Sequence, residues 1–327
     1  MFQFSKYQGL GNDFIILDNR HGQLPALVVD PHADWVRRLC DRHFGIGADG
    51  LILALPGSLD YELEMRIFNA DGSEAEMCGN GIRCLARFLA DSFGGDATGR
   101  RWVVKTLAGL VHPSMQADGQ ILVSMGSPSF ESHRVPTTLS HGPSGLPQGN
   151  LVVHGTELSV VAVGMGNPHA VIPVQDLEEI DFEQWGHALE CHPAFPARTN
   201  VHFLKVHAPD QLQIKVWERG AGPTLACGTG ACATLVAAVM LGLAANKADV
   251  RLPGGTLSIQ WPGRNGSVLM LGPAVAVFDG LLTPDLMPTV KDGLVVEVPT
   301  INTSLQDQEV CQSALGRETR PTRHHEP

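Results

Sequence analysis

Apolar residues in this chain keep two rhythms, one strand-like and one helical. Short alternating or continuous apolar runs bounded by Gly, Asn or Asp fall at residues 14–17, 51–55, 64–68, 102–105, 121–125 and 213–217, and each predicts a strand. Residues 151–163 predict a hairpin turning at His154-Gly155; further hairpins are predicted to turn at Gly254-Gly255 and at residues 263–266, with a last strand at 274–278. Helical spacing is carried by Ile82, Leu85, Ala86, Leu89 and Phe93, an apolar face that starts after Cys78 and stops at Gly94-Gly95. Asp30-Pro31 predicts an N-cap and first helical residue for a helix through Trp35 and Leu39. The stretch after Cys227 is apolar nearly all round, which predicts a helix buried at the centre of its unit. Residues 136–149 are rich in Pro, Gly, Ser and Thr and read as a loop.

Several of these features occur twice. Gly9-Leu10-Gly11-Asn12 recurs as Gly164-Met165-Gly166-Asn167, and Trp35 with Leu39 recurs as Trp185 with Leu189. Arg66-Ile67-Phe68-Asn69 recurs as Lys215-Val216-Trp217-Glu218, and Cys78-Gly79-Asn80-Gly81 recurs as Cys227-Gly228-Thr229-Gly230. The four anchors keep their order and lie 149 to 155 positions apart. One long duplication predicts two similar lobes, not a stack of short repeats. The expected fold class is α+β, with two pseudo-symmetric lobes, each a mostly antiparallel sheet wrapped around a central helix, and an active site in the cleft between them. The N-terminal lobe is expected at 1–120, completed by a strand near 273–284, and the C-terminal lobe at 121–272. Residues 285–327 form a tail outside the repeat whose polar end reads as disordered.

Composition narrows the function. A formal net charge of −11 with no dense Lys/Arg patch argues against nucleic acid or an anionic membrane as the partner. Seven cysteines at irregular spacing do not read as a disulfide framework, no close Cys/His set has metal spacing, and the most apolar run, residues 231–245, is short for a membrane span. The first six residues lack the pattern of a signal peptide. A reducing cytoplasm is the expected compartment, where free thiols persist. Cys84 and Cys232, about one turn into their helices, read as packing residues.

The chemistry is concentrated in the duplicated cysteine phrase. Each thiol is expected at a helix N-terminus, where unpaired N–H groups and the macrodipole favour the thiolate. The glycines after each cysteine let a ligand approach the backbone, and a carboxylate held between two helix starts would put its α-carbon between two sulfurs. One thiolate would take the α-proton while the opposite thiol delivers a proton to the other face, inverting the centre. This needs neither metal nor pyridoxal cofactor, and the two thiols titrate as a coupled pair. Glu218-Arg219 offers a carboxylate for an ammonium and a fork for a second carboxylate, so a ligand with two amino-acid ends fits. His169 is a candidate for tuning a thiol.

These residues resemble the diaminopimelate epimerase family. Residues 68–74 with Met77-Cys78-Gly79-Asn80-Gly81-Ile82-Arg83-Cys84 look like its first signature, and residues 218–222 with Ala226-Cys227-Gly228-Thr229-Gly230-Ala231-Cys232 like its second. Gly9-Leu10-Gly11-Asn12-Asp13-Phe14 and Met165-Gly166-Asn167-Pro168-His169 are similar as well, and the resemblance spans residues 2–282. It implies pyridoxal-independent interconversion of L,L- and meso-diaminopimelate, in lysine and peptidoglycan biosynthesis. It implies that Cys78 and Cys227 are the two bases, modulated by His169 and Glu218. Gly79, Asn80, Gly228 and Thr229 would hold the reacting carboxylate, and Asn12, Asn69, Asn167, Asn200, Glu218 and Arg219 the rest of the substrate. Gly50 stands where many family members carry Gln and has no side chain to offer that contact. The expected partner is the small-molecule substrate, with no nucleic acid and no membrane; a homodimer is compatible with the chain.

Two other readings share these residues. A proline racemase or hydroxyproline epimerase would use paired thiols in a similar fold, but a cyclic amino acid has no distal end for Glu218 and Arg219. A non-catalytic anion-binding or redox-sensing protein would use the helix starts or the thiols alone.

Overall fold

The computed structural model describes residues 2–264 and 266–288. Its first sheet contains β1 (Gln3–Gly9), β2 (Asn12–Asp18), β3 (Gly50–Pro56), β4 (Leu63–Asn69), β5 (Glu74–Ala75), β6 (Val104–Thr106) and β7 (Gly109–Val111). Strands β8 (Ser114–Met115), β9 (Ile121–Ser124), β10 (Gln148–Val153), β11 (Thr156–Gly164), β12 (Pro168–Pro173), β13 (Asn200–Ala208) and β14 (Gln211–Glu218) belong to the second sheet. So do β15 (Gly222–Pro223), β16 (Lys247–Leu252), β17 (Gly255–Gln260) and β18 (Leu269–Gly272), after which β19 (Val275–Leu281) returns to the edge of the first sheet beside β1. Five α-helices, α1 (Ala26–Val29), α2 (Ala33–Cys40), α3 (Gly79–Asp91), α4 (Phe182–Glu190) and α5 (Gly228–Met240), and a 3-10 turn at Pro284–Leu286 complete the described residues.

The duplication seen in the sequence is a duplication of topology. In the first sheet β1 pairs antiparallel with β2, β2 runs parallel to β3, β3 is antiparallel to β4, β4 is parallel to β6, and β5 hangs on β4. The second sheet repeats each relation with β11, β12, β13, β14, β16 and β15. Helices α2 and α3 of the first lobe correspond to α4 and α5 of the second.

Alternation along the strands decides which side chains meet which helix. In β3, Ile52 and Ala54 pack with α3 in the core shared by the two central helices, while Leu51, Leu53 and Leu55 pack with Trp35, Val36 and Leu39 of α2. Both faces are covered, so β3 is a continuous apolar run. In β13, Val201 and Phe203 face α4, whereas Leu204 faces inward. The same alternation puts Asn12, Asn69, His169, Asn200 and Glu218 on inner faces, at strand ends near the central helices. Helix α5 is apolar all round because it is enclosed, and Ala233, Leu235, Ala237 and Ala238 are fully buried. A larger side chain at these alanines would overpack the lobe, at a cost of roughly 1–3 kcal/mol.

The hairpin at His154-Gly155 forms as the sequence predicts, with both residues at positive φ, 47° and 78°, the twist that a two-residue turn requires. One boundary differs. The N-cap of α2 is His32, whose ring accepts from the Asp34 amide, and Asp30 instead closes the short helix α1. Imidazole nitrogen serves as the cap acceptor, so the proline sits before the helix and not at its first residue. Apart from residues 285–288, the expected tail lies outside the described residues.

Candidate active site

Strands β4 and β14 each lead through a turn and a two-residue strand, β5 or β15, into a central helix, and in each case the N-cap is a cysteine. Cys78 caps α3 with extended backbone, φ −135° and ψ 121°, and Cys227 caps α5 with φ −128° and ψ 107°. Gly81 N–H donates to the Cys78 sulfur at 3.4 Å, and the Thr229 hydroxyl lies 3.5 Å from the Cys227 sulfur. The two helix starts meet. A Cβ on Gly228 would sit 3.7 Å from the Gly79 Cα and 3.1 Å from the Met270 sulfur. A Cβ on Gly79 would meet the methyl carbons of Met125 and Met270, each at 3.1 Å. The two glycines leave room for the Met125 and Met270 side chains against the helix starts, and the two backbones come into van der Waals contact.

Burial sets the protonation of both thiols. Enclosure pushes Cys78 up, opposed by the Gly81 and Asn80 amides; Glu218 adds to the rise and Arg83 reduces it. Cys227 is held well above the usual thiol range by burial and then by the Glu218 charge, against the Thr229 hydroxyl and the Gly230 amide. The expectation that a helix N-terminus favours the thiolate is therefore corrected. The helix end contributes about 0.3–2 kcal/mol, whereas full burial moves a titrating group by up to about 3–5 pKa units. Cys84 and Cys232 are fully buried and pushed up to about 12, as fits packing residues.

On the second lobe, Glu218 ends β14 beside Cys227. Its carboxyl accepts from the Thr224 hydroxyl at 2.6 Å and is pushed up by burial, against hydrogen bonds from Thr224 and Cys227. Arg219 is exposed; its backbone N–H donates to Asn200 Oδ1 at 3.0 Å and its guanidinium to the Ala197 carbonyl at 3.0 Å. Asn200 also donates to the Pro168 carbonyl at 2.9 Å, tying β12 to the turn after β14. His169 is fully buried between Asn167, at 2.7 Å, and His202, at 2.9 Å. His202, the ring His169 meets, packs on α5, where a Cβ on Gly230 would lie 2.3 Å from its Cε1.

On the first lobe, Asn80 donates to Asn12 Oδ1 at 3.0 Å and to the Ala226 carbonyl at 3.3 Å, a bond from one lobe to the other. Asn12 donates to Asp49 at 2.8 Å, and Arg42 donates to the other Asp49 oxygen at 2.7 Å. Asn69 closes the turn after β4 through the Ser73 hydroxyl at 2.9 Å and lies opposite Gly50 on β3. Asn12, Asn80, Cys78, Cys227 and Glu218 thus form one connected group. Asn167, His169, Asn200 and Arg219 form a second around the ends of β12 to β14, and Asn69 stands on the adjoining strand end.

The family profile described as diaminopimelate epimerase matches residues 4–131 and 161–277, both signatures included. The chain belongs to the diaminopimelate epimerase family. A diaminopimelate epimerase of Prochlorococcus marinus is 63% identical over 289 residues, covering 88% of this chain and 95% of that one. One of Acaryochloris marina is 52% identical over 280 residues, covering 85% and 98%. Among solved structures, a probable proline racemase of Agrobacterium radiobacter aligns with a TM-score of 0.62 at 16% identity over 90% of this chain and 97% of its own. A hydroxyproline epimerase of Agrobacterium vitis aligns at 0.59 and 18%, over 85% and 91%. These two share the fold.

Within this epimerase family chain, Gly50 is fixed by sterics: a Cβ there would lie 2.6 Å from the Phe68 carbonyl oxygen and 3.2 Å from the Phe14 ring. Three polar residues went unread in the sequence: Arg83, Asp49 and His202. Arg83 had a usable signal, a charge inside an otherwise apolar helix. Asp49 and His202 had none, because a strand pattern does not say which helix its inner face meets.

Proposed function

We propose that this chain interconverts L,L- and meso-diaminopimelate without a cofactor, with Cys78 and Cys227 as the two acid/base groups. The observation that carries this reading is the contact between the two cysteine-capped helix starts, with Glu218 beside Cys227. The reacting carboxylate is received by the first amides of both helices, at Gly79, Asn80, Gly228 and Thr229. That places the α-carbon between the sulfurs, and the same N–H groups stabilise the charge that builds on the carboxylate as the α-proton leaves. Glu218 faces the Cys227 thiol and modulates it. Arg219 reads the distal carboxylate, and Asn12, Asn69, Asn167 and Asn200 complete the distal end. Two neutral thiols, Cys227 buried and Cys78 half-buried, suit this cycle, since one must hold a proton while the other gives its proton up as the carboxylate enters.

The reading includes a homodimer, for which β19 offers an edge strand with Val275, Val277, Phe278 and Leu281 half-exposed. It places the enzyme in the cytoplasm, where the thiols stay reduced. No helix among the described residues is long and apolar enough to cross a membrane.

The test is epimerisation of L,L-diaminopimelate in D2O. With one thiol per face, each direction puts deuterium into product before it enters recovered substrate. Equal early labelling of substrate and product would show a single shared base. Efficient racemisation of free proline would overturn the substrate assignment.

A further inference from the structure

Arg83 is the largest buried charge outside the reading above. It is fully buried on α3, one turn beyond Cys78, and among the described residues its guanidinium meets no carboxylate. Its ionisable neighbours are the thiols Cys84, Cys78 and Cys232. A buried cation of this kind costs several kcal/mol unless its hydrogen bonds are made, and here they are. Nε donates to the Pro273 carbonyl at 3.2 Å, Nη1 to the Gly79 carbonyl at 3.0 Å, and Nη2 to Asn80 Oδ1 at 2.9 Å. Two glycines make the slot: a Cβ on Gly9 would lie 3.1 Å from Nη2, and one on Gly272 3.3 Å from Nε.

Each of these bonds has a direction. Arginine only donates, so Asn80 must turn its oxygen to Arg83 and its Nδ2 to Asn12 Oδ1 and the Ala226 carbonyl. Asn12 must then turn its Nδ2 to Asp49, which as a carboxylate only accepts. One buried guanidinium and one carboxylate thus fix both amides between them. The Gly79 carbonyl that Arg83 binds belongs to the same peptide unit as the Asn80 N–H. Polarising one end of a peptide strengthens the donor at the other, and that N–H bears on the Cys78 sulfur.

We propose that Arg83 is a positioning residue of this site: it locks the amides of Asn80 and Asn12 in one orientation and, through the Gly79–Asn80 peptide, strengthens the N–H that serves the Cys78 sulfur and the incoming carboxylate. The proposal rests on the functional reading for the carboxylate, but not for the thiol. The ionisable groups bearing on Cys78 are Glu218 from β14, which disfavours the thiolate, and Arg83, which favours it, while Cys78 in turn bears on Cys84.

The experiment compares full-length parent, Arg83→Met and Arg83→Lys. Iodoacetamide alkylation of Cys78 is followed against pH by peptide mass spectrometry, alongside steady-state epimerisation. In Arg83→Met the alkylation midpoint moves up, so that Cys78 reacts roughly tenfold more slowly at neutral pH, and kcat falls with a smaller rise in KM. Arg83→Lys keeps the charge but not the fork, so it recovers most of the alkylation rate while KM stays raised. A folded Arg83→Met protein with the parent's alkylation profile would overturn the proposal. Where Arg83→Met does not fold, Arg83→Lys decides, and parental KM together with a slowed thiol would overturn it. If the variants shift the alkylation of Cys78 as described yet the parent does not turn over diaminopimelate, the functional reading fails and the assignment of Arg83 to the thiol stands.

Discussion

The His169–His202 pair makes a quantitative prediction about acid stability. With Asn167 Oδ1 turned to it, His169 carries its proton on Nε2 and accepts on Nδ1 from His202 Nε2–H. Both rings are neutral and fully buried. Burial holds His202 at about 3 against an ordinary 6.5, and holds His169 well below the ordinary value, with His202 next in effect. The native state therefore excludes protons that the unfolded chain accepts. The stability tied to these rings is complete above about pH 6.5 and is lost as pH falls from there toward about 3. For His202, linkage from 6.5 to about 3 gives a loss of about 2 kcal/mol by pH 5, with a slope of up to about 1.4 kcal/mol per pH unit. His169 adds a loss of the same sign. His202→Gln keeps a neutral hydrogen-bonding side chain but removes one titration. Urea unfolding by tryptophan fluorescence, with Trp185 and Trp217 reporting on the same lobe, is run at about pH 8, 6.5 and 5 on both proteins. Groups such as His192 act equally in both and cancel in the difference. The parent should lose about 2 kcal/mol more than His202→Gln between the highest and lowest pH. A gap that stays constant across pH would refute the reasoning, because His202 would then not be a buried neutral imidazole.

Other outcomes follow from the same geometry. Cys78→Ala and Cys227→Ala should each abolish epimerisation in a folded protein, read by turnover and circular dichroism; near-normal turnover in either would remove that cysteine as a base. Arg219→Met should weaken substrate binding by about 1.5–3 kcal/mol through loss of a charge-assisted carboxylate bond, seen as a raised KM; an unchanged KM would place the distal carboxylate elsewhere. Gly230→Ala would drive a methyl into the buried His202 ring, 2.3 Å from its Cε1, so unfolding should become easier by roughly 1–3 kcal/mol. Mild oxidation should join Cys78 to Cys227, since their helix starts touch and a bridge needs Cα atoms within about 7 Å. Peptide mapping should find that bridge, reversed by reductant and blocked by diaminopimelate, and a dominant bridge through Cys84 or Cys232 would contradict the facing arrangement.

The duplicated signatures, the strand alternation and the two capping cysteines were legible in the chain because each depends on residues close in sequence. A short continuous apolar run marks Leu51 to Leu55 as a strand wherever it lies, and the paired Gly-Asn and Cys-Gly phrases announce two copies of one unit. The lobe-to-lobe contacts were not legible. Asn80 reaches the carbonyl of Ala226, 146 positions away, and Arg83 reaches Pro273, 190 positions away. The protonation of the thiols was not legible for the same reason: a helix N-terminus is a local feature, but desolvation depends on everything that closes around the sulfur. Sequence determined that two cysteines would each start a helix; only the packing of the two lobes decided that those starts touch, that an arginine is buried behind one of them, and that burial outweighs the helix end at both.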